Sequence, residues 1–192
     1  MYLNFNLQIA KSVVKYKKRG GKMEYYTYYM SPLGKMLLAE KEGALAGAWF
    51  ENQKYYAARL EKTAQLSDGR PVLQAAKKWL DAYFAGEKPC ADSLPLSPQG
   101  TDFQKEIWRL LLEIPCGKTV SYGCLAEQYA KKKGLSHMSA QAVGGAVGKN
   151  PISVFIPCHR VVGSNGSLTG YAGGSDKKAA LLKFEKEGFW LV

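Results

Sequence analysis

The sequence predicts an α/β (α+β) protein. A small N-terminal domain with a three-stranded antiparallel sheet and helices is joined to a mainly helical C-terminal domain with a winged-helix-like helix-turn-helix. Three observations predict this. Residues 25–50 contain three short runs rich in aromatic and aliphatic side chains, cut by turn signals. A proline-rich connector occupies residues 87–100, and the stretch beyond it has helical periodicity with capping residues. At 192 residues the chain is long enough for two such units.

The strand runs are residues 25–30, 35–40 and 44–50, and an antiparallel meander is their simplest arrangement. Ser31, Pro32, Leu33 and Gly34 form the first turn signal, and Lys41, Glu42 and Gly43 the second. A helix is expected from about Gln53, behind Asn52 as N-cap. Another is expected from Pro71 to just before Gly86, with proline at its start and glycine past its end. Leu73, Ala76, Leu80, Tyr83 and Phe84 recur on it at helical spacing and read as core packing. Pro89, Ser93, Pro95, Ser97 and Pro98 leave little regular structure in the connector, which sets the domain boundary. The chain then divides into a basic leader (1–22), an N-terminal α/β domain (23–92) and a C-terminal domain (93–192).

The C-terminal domain opens with the capping-box spacing of Thr101 and Gln104. Phe103, Ile107, Leu110, Leu111 and Ile114 form one helical stripe, stopped by Pro115. Two short helices follow, near residues 122–130 and 140–148, a weak helix-turn-helix signal in a basic unit. Ala142, Gly144, Gly145, Ala146 and Gly148 leave the second almost without side chains. Each glycine costs a helix roughly 1 kcal/mol. Another surface, DNA or a neighbouring helix, is therefore expected to approach its backbone closely.

Charge is distributed unevenly. Residues 1–22 carry +6, residues 23–100 are neutral and residues 101–192 carry +5, for a net charge of +11. A basic second half points to a polyanionic partner, or to a solvated basic surface. No apolar run approaches the 18 residues of a membrane span. The apolar start of the chain is broken by Asn4, Asn6 and Gln8 and is followed, not preceded, by lysines, unlike a secretory signal; a cytoplasmic protein is expected. Cys90, Cys116, Cys124 and Cys158 are unevenly spaced, which favours free thiols. With only His137 and His159 and no CxxC, no metal site is expected.

The chemistry concentrates after Asn150. Residues 152–156 read as a short buried strand ended by Pro157, which delivers Cys158, His159 and Arg160 consecutively at its exit. A thiol becomes a nucleophile on ionising, and a neighbouring imidazole or cation favours that. An inert buried cysteine and a general cysteine hydrolase remain open on these residues alone. Ser175 and Asp176 are expected to cap a last helix, on which Leu181, Leu182 and Glu185 share one face. A carboxylate on an apolar stripe needs a partner, so Glu185 is a candidate to orient His159, unless it lies at the stripe's edge and reaches water.

Several motifs together resemble the O6-alkylguanine-DNA alkyltransferases, also called methylated-DNA–protein-cysteine methyltransferases. They are residues 156–162 (IPCHRVV), residues 148–151 (GKNP), residues 142–146 (AVGGA) and residues 170–174 (GYAGG). The likeness runs in order from about Thr101 to Gly188, and residues 31–34 (SPLG) and 48–50 (AWF) resemble the family's small N-terminal domain. The resemblance implies a repair protein that flips O6-alkylguanine, and O4-alkylthymine, from duplex DNA and takes the alkyl group irreversibly onto Cys158. His159 would then deprotonate Cys158 through a water, Glu185 would steady His159, and Asn150 would be the hinge between the recognition helix and the active-site strand. Tyr122 would rotate the phosphate and meet the base at N3. The loop of residues 171–173, with Tyr171 and Gly173, would close over the base. Gln141, Ala142, Gly144 and Arg160 would lie on the side facing DNA, bound through its minor groove. The resemblance implies a monomer acting on double-stranded DNA, with no cofactor and no membrane.

Two features depart from the family. Gln141 stands where most relatives carry an arginine that enters the base stack, and it brings no charge. The leader before Met23 matches nothing; a DNA-binding arm, a disordered tail and a misassigned start are the readings it leaves open. A non-enzymatic alkyl-lesion-binding protein is the rival from another class. Such binders characteristically lack the acceptor cysteine, which this chain has as Cys158.

Overall fold

The computed structural model describes residues 23–90 and 93–188, so the readings of the leader lie outside the described residues. Strands β1 (Glu24–Ser31), β2 (Gly34–Lys41) and β3 (Ala44–Phe50) form the expected antiparallel meander. The tight β1–β2 turn needs a left-handed residue, and Gly34 supplies it at φ 107°. A fourth strand, β4 (Gln65–Leu66), pairs in parallel with β1, giving the order β3-β2-β1-β4. Two residues long, β4 has no alternation for a sequence reading to find.

The central strand β2 is buried on both faces. Met36 and Leu38 point into the main core, whereas Leu37 and Ala39 meet Trp49 under Tyr26, Tyr56 and Leu60. The chain that supplies this second cover is not the helix expected after Asn52. Asn52, Tyr55 and Ala57 have positive φ, and four-residue turns run from Phe50 to Gln53, Gln53 to Tyr56 and Ala57 to Leu60. Residues with positive φ cannot continue a right-handed helix, and the turns lay Tyr56 and Leu60 against Trp49, where that apolar face is buried.

Helix α1 (Pro71–Phe84) lies on the opposite face of the sheet, burying Leu73, Ala76, Trp79, Leu80, Tyr83 and Phe84. Helix α2 (Asp102–Leu112) begins with the full capping box, Thr101 and Gln104 each bonding the other's backbone. Strand β5 (Val120–Ser121) leads into α3 (Tyr122–Lys133), one turn longer than expected. Lys131, Lys132 and Lys133 sit at its negative dipole end, before Gly134 at φ 66°. Helix α4 (Ala140–Val147), capped by Ser139, completes the helix-turn-helix, and Trp108 Nε1 donates to the Ala146 carbonyl at 2.9 Å to fix it on α2.

Two further expectations are corrected. Residues 152–156 form turns, not a strand: Val154 is left-handed at φ 73° and the Ile156 amide bonds back to the Ile152 carbonyl. The segment still reaches the sheet, because Ala48 exchanges backbone hydrogen bonds with Pro151 and Ser153. At the start of α5 (Ser175–Glu187) the N-cap is Gly174 at φ 93°, and Ser175 and Asp176 occupy the first turn. Asp176 there still suits the positive end of the helix dipole.

The two halves share one core. Trp79 of α1 packs on Phe155 at 4.5 Å, Tyr83 and Phe84 meet Phe184 of α5, and the connector pairs with β3 through Leu45, Pro95 and Ser97. This packing aims α5 and the residues before Cys158 at each other.

Candidate active site

After Pro157 the chain makes a 3-10 turn over Cys158–Arg160 and enters β6 (Val161–Val162), which pairs with β5. Cys158 and His159 are buried. The Asn150 amide donates to Cys158 Sγ at 3.0 Å and to the Ile156 carbonyl at 2.8 Å, while its oxygen accepts from the Ile152 amide at 3.0 Å. One buried side chain thus ties the end of α4 to the thiol. Burial pushes the Cys158 thiol up to about 11; the Asn150 hydrogen bond and the charge of Lys178 oppose that rise. A base is required before this sulfur can attack at neutral pH.

His159 is next in sequence, and its Nε2 lies 2.8 Å from Glu185 Oε1. Glu185 is enclosed by donors. Arg160 reaches it in a fork, Nε to Oε2 at 2.9 Å and Nη2 to Oε1 at 2.8 Å. The Gly117 amide adds 2.9 Å to Oε2, and the Tyr83 hydroxyl 2.8 Å to Oε1. Burial alone would raise its pKa, but His159 and Arg160 hold this carboxyl well below the usual carboxylate range. An ionised carboxylate only accepts, so Nε2 carries the ring proton and Nδ1 carries the lone pair. Nδ1 is buried with no hydrogen-bond partner in the protein. Burial also keeps His159 below its ordinary pKa, so the ring is neutral and able to take a proton.

Cys158, His159, Glu185 and Asn150 therefore meet in one cluster, and Tyr171 joins it, its ring edge-on to His159 at 6.4 Å. Gly173 lets that ring lie close, since a Cβ there would come within 2.6 Å of it. Arg160, grouped from the sequence with the DNA-facing residues, points inward instead. Its remaining Nη1 donates to the Ile114 carbonyl at 2.6 Å, so the fork is spent on Glu185 and the backbone.

The other sequence candidates line an adjoining face. The Tyr122 hydroxyl donates to the Thr169 carbonyl at 2.9 Å, beside the 171–173 loop. A Cβ added at Gly144 would just touch the Tyr122 ring at 3.6 Å and one at Gly148 would crowd the Gly170 carbonyl at 3.3 Å, whereas Gly145 opens on free space and Gln141 and Ala142 are exposed. Protein therefore lies against one side of α4, and its other side is open.

Three contributors escaped the sequence reading. Lys178 is fully buried, donating to the carbonyls of Val161 at 2.5 Å and Thr169 at 3.1 Å, and burial lowers it to about 8. In sequence it looks like half of a surface lysine pair. Its spacing from Leu181 and Glu185 was the available sign that it lies on the buried stripe. Tyr83 lies on the core stripe of α1, and its spacing gives no sign of a role beyond packing. The amide of Lys54 donates to the Ala172 carbonyl at 2.9 Å, so the turn after β3 holds the 171–173 loop from the N-terminal side.

Comparison with known proteins places this chain in a family. Residues 102–187 match the model of the 6-O-methylguanine DNA methyltransferase DNA-binding domain, and residues 24–98 that of the ribonuclease-like domain of the same proteins. The chain belongs to the 6-O-methylguanine DNA methyltransferase family. Among similar sequences is the methylated-DNA–protein-cysteine methyltransferase of Haemophilus influenzae, 41% identical over 84% of this chain and 86% of that one. The protein of that name from Methanosarcina acetivorans is 42% identical over 84% and 97%. Mycobacterium tuberculosis OGT in complex with DNA superposes with a TM-score of 0.74 at 38% identity, covering 86% of this chain and 95% of that one.

Proposed function

We propose that this protein repairs alkylated DNA by moving the alkyl group of O6-alkylguanine, and of O4-alkylthymine, onto Cys158, once per molecule. The observation that carries the proposal is the buried Cys158–His159–Glu185 cluster, with Asn150 on the sulfur and Nδ1 of His159 free to accept. His159 Nδ1 takes the thiol proton through a water, and Glu185 stabilises the imidazolium that results. The thiolate attacks the alkyl carbon in line, the S–C bond forming as the C–O6 bond breaks. The released guanine takes up one proton, so one alkyl group and one proton change places. A thioether is stable to water at neutral pH, and the acceptor is not regenerated.

An alkyl carbon inside a duplex cannot be reached in line, so the nucleotide has to leave the stack. In this reading α4 enters the minor groove as part of a monomer, with Gln141 filling the vacated space and Ala142 and Gly145 admitting the sugar–phosphate backbone. Tyr122 and residues 171–173 close on the extruded base. The excess positive charge of residues 101–192 supports the polyanion, and the protein works in the cytoplasm without a cofactor. Intact-mass spectrometry after mixing with an O6-methylguanine duplex tests the proposal. One methyl group is expected on Cys158, and Cys158→Ser is expected to bind the duplex without accepting it. Methylation of Cys90, Cys116 or Cys124 in its place would sink the assignment.

A further inference from the structure

We propose that Tyr83, supplied by the N-terminal domain, is a positioning residue of the transfer reaction: its hydroxyl sets how strongly Glu185 holds His159. The inference rests on the Cys158–His159–Glu185 relay proposed above and concerns a residue outside it. Tyr83 lies 102 positions from Glu185 and reaches it only because α1 docks on α5. Its hydroxyl donates to Oε1, the oxygen that also accepts from His159 Nε2, at 2.8 Å in each case. Each donor draws charge from the oxygen it meets, so Tyr83 and His159 draw on the same electron density.

The ring is held so that the hydroxyl has little choice of direction. It stacks on Trp79 at 5.5 Å and 8°, and meets Phe84 and Phe184 edge-on at 5.1 and 5.6 Å. Packing alone would be served by phenylalanine, which avoids desolvating a hydroxyl. The other ionisable groups around the carboxylate come from elsewhere: His159 and Arg160 from the 3-10 turn, and Cys116 from the loop after α2. Lys178, on α5, acts on His159 and Cys158, and Lys88 acts on Cys116. Tyr83 is the contribution of α1. Removing its hydroxyl concentrates charge on Oε1, strengthens the bond to the imidazolium and makes His159 more basic. A stronger donor there does the reverse.

The experiment follows the His159 ring by nitrogen NMR and the single-turnover rate on an O6-methylguanine duplex, both against pH. It uses the full chain unmodified, with Tyr83→Phe and with Glu185→Gln. Tyr83→Phe is expected to raise the His159 pKa by about half a unit or more and to move the acidic limb of the rate upward equally. A fluorinated tyrosine incorporated at position 83 alone, nearly the same shape and a stronger donor, is expected to lower both. These opposite shifts separate electronic control from a structural bond, which would change melting temperature and leave the titration in place. If Glu185→Gln moves the His159 titration and neither change at Tyr83 does, this inference is overturned and the relay stands. If Glu185→Gln also leaves it unmoved, the relay itself fails and the role of Tyr83 fails with it.

Discussion

At the scale of single residues, the thiol of Cys158 sits where burial works against its ionisation, and two side chains work for it. Asn150 donates to the sulfur, and Lys178 supplies positive charge from α5. Lys178→Met keeps most of the volume and removes the charge, so the Cys158 pKa is expected to rise. Each unit of rise should cost about tenfold in thiolate at neutral pH. Ultraviolet absorbance of the thiolate against pH checks the first effect and the single-turnover rate the second; an unmoved thiol titration would contradict the assignment. Acid sensitivity follows from His159 and Glu185. Both have folded pKa values below their unfolded ones, so the unfolded chain binds more protons and stability is lost as pH falls. The His159 contribution is complete above ~6.5 and is lost as pH drops below it; that of Glu185 follows below ~4.3. Urea midpoints measured across this range are expected to decline from near neutrality, and His159→Phe should flatten the first part of the decline.

Among the elements, α4 carries the clearest division of labour. Its Val143, Ala146 and Val147 are buried, Gly144 and the C-cap Gly148 leave room beside Tyr122 and the Gly170 backbone, and Gln141, Ala142 and Gly145 face outward. If Gln141 enters the space left by the flipped nucleotide, it acts on an unstacking cost of a few kcal/mol. Gln141→Arg adds a guanidinium that stacks and meets phosphate charge, and should speed transfer on duplex DNA; Gln141→Ala should slow it. On free O6-benzylguanine, which needs no flipping, both should react like the unmodified protein. Equal rates on the duplex would mean that another residue holds the helix open. The segment after β3 teaches a different point. Its turns cover Trp49 and also deliver the Lys54 amide to Ala172, so a stretch without regular structure joins the sheet to the loop beside the thiol.

In the whole molecule, the connector of residues 87–100 marks a change in composition but not a gap in packing. One buried cluster runs from Met36 and Leu45 through Trp79 and Phe155 to Leu181 and Phe184. Separating the halves would bare Phe155 and Phe184 and leave Glu185 without its Tyr83 donor. The chain is therefore expected to unfold in urea as one cooperative unit, with tryptophan fluorescence and backbone dichroism superimposing. Trp49 and Trp108 report from opposite halves, so two resolved transitions would show that the halves are independent after all.

The sequence by itself determined what is written in neighbouring residues. The meander came from aromatic and aliphatic runs cut by turn residues, the start of α2 from Thr101 and Gln104, and the limits of α1 from Pro71 and Gly86. The adjacency of Cys158 and His159 with the motifs around them carried the family. Glu185 was legible because a carboxylate on an apolar stripe needs a partner. Tertiary structure decided what depends on distant groups meeting. It turned residues 152–156 out of a strand to pair with β3, wound residues 51–64 over Trp49, drew Arg160 inward, and brought two apparent bystanders, Tyr83 and Lys178, to the buried cluster. The physical reason is one of range. Periodicity, caps and turns arise from interactions within a few residues, whereas the energy of a buried hydroxyl or ammonium depends on which acceptors the whole fold brings to it.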